Sequence, residues 1–470
     1  MFTQLRIQNF KSWADTGEFR MAPLTGFFGT NSSGKTAILQ FLLMLKQTVE
    51  SSDRNRILHL GGDQYSYVDL GTNYDISHRH KLPAKIKFSF EWIPKYINSL
   101  SLFMPRRRII SLGSSHFYYD QYKKDLLRFE SEITIDEDQV SIDFFKYYFK
   151  TEDNKLNNFY VTSSIVFSQE ESIYKLYKNG SLFEKLEDVD NSIDQEIEDF
   201  RLLKNYGSWY LPTSHFPQYN NWLSTLTPAY EDLFQNTYYL APLREYPKRI
   251  YLWSGENPQD VGKQGASAFS ALLASNKKNP EVQTAVAKAL KELGLIDSFR
   301  LNAIAENRGY YEVLVKRSPN SAEVLITDVG FGVSQVLPIL VLCYYAPKGA
   351  TLIFEQPEIH LHPSVQAGLA DIFIEVIKTR NIQIIIESHS EHLLRRLQRR
   401  MAEEKDGFTN EDAALYFCKM DDQGDSELVP LEIDTYGNIC NYPEGFFGDE
   451  MGDLVAMTEA AINRQMNVGA

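Results

Sequence analysis

The sequence predicts an α/β fold organised around a phosphate-binding loop and interrupted by an inserted, mainly β region. Three observations carry this. A glycine-containing segment, GTNSSGKT at 29 to 36, lies between a short apolar strand and a leucine-rich helix. Two further apolar strands, in ATLIFEQPEIHLHP and NIQIIIESHS, appear late in the chain. Between about 84 and 235 the character changes to short, alternating Tyr/Phe-rich stretches.

At 470 residues the chain exceeds one compact core of ordinary size, so a core domain with a large insertion is expected. Hydrophobic residues at 43% and charged residues at 23% suit a folded globular chain. With 48 Lys and Arg against 62 Asp and Glu, the net charge of -14 opposes a surface that coats nucleic acid and leaves only local basic patches for DNA. Cys343, Cys418 and Cys440 form no C-x-x-C pair and read as core residues of a reducing compartment. The N-terminus lacks a charged-then-apolar signal pattern, and no run of about 18 apolar residues occurs, so a cytoplasmic protein without a membrane span is expected.

Taken in order, FTQLRIQNF at 2 to 10 alternates as a strand, LTGFFG at 24 to 29 is a second strand, and TAILQFLLMLKQTVE is the helix after the loop. Residues 1–83 and 236–470 are assigned to one head, and 84–235 to the insertion, whose acidic run EKLEDVDNSIDQEIEDF reads as a solvated helix. NTYYLAPLREYPKRIYLW reads as a strand with Arg244, Lys248 and Arg249 close behind it, and the helix NPEVQTAVAKALKELGLI and strand YYEVLVKR then lead into DVGFGVSQVLPILVLCYY. Gln64 lies in the glycine-containing GGDQYSYVDLG, and NYPEGFFGDE near the C-terminus reads as an aromatic turn closing the core.

The segment Gly29 to Thr36 matches G-x-x-x-x-G-K-[ST] completely. The glycines let the backbone curl so that N–H groups across Asn31, Ser32, Ser33 and Gly34 face phosphates, and the following helix N-terminus favours negative charge. Lys35 supplies a positive charge for the β- and γ-phosphates of ATP, and the Thr36 hydroxyl is a Mg²⁺ ligand. ATLIFE delivers Glu355 to the C-terminal end of a strand, where open α/β sheets hold ligands and a carboxylate can hold Mg²⁺. NIQIIIESHS ends at His389, an imidazole placed to touch a γ-phosphate.

This order of elements, with the glycine-containing segment at 328 to 335, the E-x-P-E-x-H-L-H-P strand at 355 to 363 and the S-H-S turn at 388 to 390, resembles the SMC/RecF/OLD-type branch of ABC ATPases. Within that branch it is most similar to the small ATPases of bacterial anti-phage defence systems, such as AriA of PARIS and PtuA of Septu. The resemblance covers about 1–80 and 235–460, and implies a P-loop NTPase with an ABC-type ATPase head. It further implies that Lys35 and Thr36 act on phosphate and Mg²⁺, Glu355 is the Walker B carboxylate and His389 is the switch histidine. By the same resemblance Gly330, Gly332, Ser334 and Gln335 form the signature that reaches across a head-to-tail homodimer, or a higher oligomer, to the partner's γ-phosphate. Gly330 stands where a serine is usual, which leaves backbone N–H groups and Ser334 as donors.

Gln356 departs from the family, which has a glutamate there to polarise the attacking water, and an amide cannot accept a proton as a carboxylate does, so slow hydrolysis is expected. Glu358 is either a substitute base or a helix-start or interface carboxylate. The resemblance implies a separately encoded effector, a nuclease or toxin, because the chain ends about 80 residues after His389 and shows no nuclease motif. Two rival expectations stand: a RecF-like repair ATPase clamping DNA through Arg395, Arg396, Arg399 and Arg400 or Arg106, Arg107 and Arg108, and a nucleotide-locked scaffold with negligible turnover. A solvated face explains the first arginine group equally well.

Overall fold

The computed structural model describes residues 1–53, 56–94, 126–153, 159–168, 173–179, 199–201, 220–278, 280–305, 308–443, 446 and 450–468. Its centre is a six-stranded sheet among these residues, in the order Thr237–Leu240, Thr351–Glu355, Gln383–Glu387, Leu24–Gly29, Ala413–Met420 and Ser426–Pro430. The first five strands are parallel and the last is antiparallel. Runs such as Gln383–Glu387 and Leu24–Gly29 are buried at every position, because a parallel sheet is covered on both faces.

Strand alternation divides these side chains between two cores. Phe27, Ile353 and Ile385 face the helix Lys35–Val49. Phe28, Leu352, Phe354, Ile384 and Ile386 face the helices Phe331–Tyr345, Pro363–Arg380 and Glu391–Ala402. The helix Lys35–Val49 is buried along almost its whole length and circumference, as an all-round apolar helix must be. Its outer side meets a second sheet, where Phe41 packs edge-on against Phe10 and Phe88.

That second sheet is antiparallel, and its nine described strands explain the Tyr/Phe-rich alternation. Ala84–Trp92 pairs with Phe2–Phe10, and Leu126–Ile135, Val140–Asp153, Phe159–Ser168, Ile173–Asn179 and Asp199–Arg201 follow in sequence order. The mainly β region therefore continues a sheet that the N-terminal strand begins. Arg106, Arg107, Arg108 and residues 184–198 of the acidic run lie outside the described residues, and the run's last two, Asp199 and Phe200, stand in the strand Asp199–Arg201 and not in the expected helix.

A small antiparallel sheet of Tyr251–Leu252, Tyr310–Lys316, Ser298–Ala303 and Val324–Leu325 leads through Ile326–Asp328 into the helix Phe331–Tyr345. Phe446, of the segment NYPEGFFGDE, is buried and packs edge-on against Phe28 and Phe417, as expected of a residue that closes the core. Cys343 and Cys418 are buried, but Cys440 is exposed, correcting its expected core position; it lies on the loop after Ser426–Pro430. Among the described residues no helix is long and apolar enough to cross a membrane.

Candidate functional site

The parallel order sets three strand ends side by side. Glu355 is in register with Glu387, Glu387 with Phe27, and Gly29 with Cys418. The loop Gly29–Thr36 thus rises at the C-terminal edge of the sheet, beside two acidic strand ends.

The loop geometry depends on two glycines. Gly29 has φ 137° and Gly34 φ 87°, both in the region that favours glycine. A Cβ at Gly29 would run into the Cys418 carbonyl oxygen, and one at Gly34 into Ser426 Oγ and Ser12 Oγ. Trp13 Nε1 donates to Gly34 O at 3.0 Å and Ser33 Oγ to Thr30 O at 2.8 Å, fixing the curl from within. Asn31 and Ser32 are exposed on its crest. The buried Lys35 Nζ donates to Gly29 O at 3.1 Å and Thr30 O at 2.5 Å, so the ammonium lies folded into the loop it serves. Burial lowers its pKa despite nearby Glu387.

Thr36 Oγ1 donates to Glu387 Oε1 at 2.9 Å. Sequence reasoning missed Glu387, although its place at the end of an apolar strand is the same signal that singled out Glu355. Burial and the neighbouring Glu355 charge push its carboxyl up to about 7, and Glu387 Oε2 has no hydrogen-bond partner. Glu355 Oε2 accepts from Tyr239 OH at 2.6 Å, and burial raises its pKa as well.

Gln356 stands next to Glu355 in the left-handed region, φ 43°, where its N–H donates to Glu387 O at 2.8 Å. Glu358 is buried at 7% exposure, and its Oε1 accepts the His389 backbone N–H at 2.6 Å. Burial raises the Glu358 carboxyl, opposed by hydrogen bonds and by Arg244, itself buried with Nη2 donating to Gln356 O at 3.4 Å. His389 is half-buried and hydrogen bonded to the Gly29 backbone; burial first, then the Lys35 charge, lowers its pKa.

The segment expected as the signature, 328–335, lies at the start of the helix Phe331–Tyr345. Gly330 caps the helix Phe331–Tyr345, exposed and with nothing within 4 Å of where a Cβ would stand; Gly332 has only Leu295 and Leu361 at 3.9 Å. Ser334 is buried and its hydroxyl donates to Phe331 O at 2.7 Å within the helix, and Gln335 is 1% exposed. Those two side chains are turned inward in this conformation, which leaves the backbone N–H groups at Gly330 to Gly332 as the outward donors.

The basic helix Glu391–Ala402 spends its arginines inside the chain. Arg395 pairs with Glu391, Arg399 with Glu403, and Arg396 and Arg400 both with Asp371, at 2.5 to 3.1 Å. This favours the solvated-face reading of that helix. Gln64 is exposed, and Arg249 pairs with Asp328 at 2.8 Å, two residues before Gly330.

The hydroxyl and carboxylate oxygens of Thr36, Glu355 and Glu387 suit a hard cation, and the unpartnered Glu387 Oε2 leaves one of them available. Among the described residues no group of three or more His, Cys, Asp or Glu is placed to hold a metal, so remaining ligands would come from phosphate and water.

A phosphate loop on this sheet edge, with acidic ends on the neighbouring strand Gln383–Glu387 and on Thr351–Glu355 beyond it, gives the chain a P-loop NTPase fold, the one expected of an ABC-type ATPase head. The family described as AAA ATPase domain matches residues 1–394, and the chain belongs to it. Residues 408–457 match a second family, described as a protein of unknown function, DUF3696. Similar solved structures include an SmcHead bound to the C-winged helix domain of ScpA, at 12% identity and TM-score 0.41, covering 92% of this chain and 98% of that one. An SMC head domain from Thermotoga maritima is similar at 10% identity and TM-score 0.36, covering 92% and 99%. No curated protein matches the chain.

Proposed function

We propose that the chain binds Mg-ATP at Gly29–Thr36, closes head-to-tail on a second copy around that nucleotide, and uses closure to control a separately encoded nuclease or toxin in anti-phage defence. The observation that carries the nucleotide reading is the juxtaposition of Lys35 and Thr36 with Glu355 and Glu387 at one sheet edge. Lys35, now bonded to loop carbonyls, would turn to the β- and γ-phosphates, which offer a charged acceptor in place of two neutral ones. Thr36 and Glu355 would hold Mg²⁺, which when bound neutralises charge on those phosphates. His389, beside Gly29, would gain or lose a contact as the γ-phosphate comes and goes.

Gly330 to Gly332 would present their N–H groups to the partner copy's nucleotide. Gln356 would slow hydrolysis, giving a clamp that persists on ATP. The defence role rests on resemblance to small ATPases of such systems. It is tested by phage plating on bacteria carrying the gene with its neighbours: protection lost in Lys35→Ala supports the reading, and equal plating with and without the genes defeats it. The DNA-clamp alternative draws no support from Arg396 and Arg400, which are paired with Asp371 on the neighbouring helix.

A further inference from the structure

We infer that Glu387 is a second carboxylate of the cation site, and that its pairing with Thr36 and Glu355 makes ATP binding by this chain conditional on a divalent cation. The inference rests on the nucleotide reading above and deepens it.

In P-loop ATPases the loop hydroxyl and the Walker B carboxylate share the cation. Here the Walker B carboxylate, Glu355, is bonded by the Tyr239 hydroxyl at 2.6 Å, and the Thr36 hydroxyl donates instead to Glu387, one strand over, at 2.9 Å. Glu387 is 2% exposed, and its Oε2 is a buried oxygen without a partner. A buried carboxylate oxygen is costly unless a cation or proton meets it. Lys35 is the nearest fixed positive charge, yet its ammonium is committed to Gly29 O and Thr30 O. Glu355 stands in register beside Glu387, so a half-buried and a buried carboxylate lie side by side at the sheet edge that carries the phosphate loop, where a bound nucleotide would add further negative charge. A hard divalent cation meets this need with the ligand atoms present, a hydroxyl and carboxylate oxygens. Without it, the pair repels the nucleotide.

The test uses Mn²⁺ as probe, with affinity read by electron paramagnetic resonance on the full chain without nucleotide, in wild type, Glu387→Gln and Glu387→Asp. ATP binding is then read by fluorescence of a labelled analogue in Mg²⁺ and in EDTA. The expected result is about tenfold or greater weakening of Mn²⁺ binding in Glu387→Gln, with Glu387→Asp intermediate. In EDTA, Glu387→Gln should bind the analogue several-fold tighter than wild type, and in Mg²⁺ more weakly. A change of opposite sign in the two buffers is not produced by a damaged fold. Mn²⁺ affinity within twofold of wild type in both variants, or ATP binding that weakens alike in both buffers, overturns the inference. If wild type binds Mn²⁺ through Glu387 but binds no nucleotide, the ATP reading fails and the carboxylate site stands.

Discussion

Glu358 Oε1 holds the His389 backbone N–H at 2.6 Å, joining the loop after one strand to the turn after the next. Glu358 is buried, and its raised pKa comes from burial itself. The contact gives it a positioning role for His389 and argues against its use as a freely exposed base.

Glu358→Gln keeps an acceptor for the His389 N–H, whereas Glu358→Ala leaves that N–H unpaired. The alanine variant should lose about 1–3 kcal/mol of stability in urea denaturation, and the glutamine variant little. Phosphate release should survive in Glu358→Gln; its abolition there, with the fold intact, would make Glu358 the base.

Gly34 and Gly330 should respond in opposite ways to a side chain. Gly34→Ala forces a Cβ into Ser426 and Ser12 at φ 87° and should abolish nucleotide binding. Gly330→Ser enters open space at φ −57° and, as a helix N-cap, should change stability by only a few tenths of a kcal/mol. It should also strengthen ATP-dependent self-association, because the hydroxyl adds a donor at the proposed trans contact. Sedimentation with and without Mg-ATP reads this directly.

The loop hydroxyl's contact with Glu387 shows where sequence reading stops. The loop itself was legible because all its chemistry lies in eight consecutive residues, and Glu355 because an apolar strand ends on it. The Thr36–Glu387 contact spans 351 positions and exists only because Gln383–Glu387 lies between Thr351–Glu355 and Leu24–Gly29, an order no periodicity encodes. Ser334 fitted the signature pattern, but its place on the helix turns the hydroxyl inward to Phe331. Arg396 and Arg400 looked available because Asp371, on the neighbouring helix Pro363–Arg380, is not adjacent in sequence. Strand alternation in the Tyr/Phe-rich region was readable, while its continuation of the sheet begun by Phe2–Phe10 was not.

In the antiparallel sheet, burial pushes the Glu132 carboxyl up, but hydrogen bonds and charge from Lys85 and Lys87 outweigh it and hold it below the usual glutamate range. A folded pKa below the unfolded one stabilises the protein above the unfolded value, about 4.3, and the gain is lost as pH falls through the folded pKa. Wild type should therefore exceed Glu132→Gln in thermal stability at pH 7, and the gap should narrow below about pH 4.3 in melting curves across that range.

Gln356 sits at φ 43° immediately after Glu355, so a glutamate there would add a carboxylate on the same backbone. Gln356→Glu should raise phosphate release by about tenfold or more. An unchanged rate would remove Gln356 as the brake.

ATP held at Lys35 is proposed to join two copies. This is tested most directly by the mass of the purified chain, measured by light scattering with and without Mg-ATP, in wild type and Lys35→Ala. The expected result is a doubling of mass, or assembly in multiples of two, with ATP in wild type, and no change in Lys35→Ala. A wild-type mass that ATP leaves unaltered, with nucleotide shown to be bound, would contradict it.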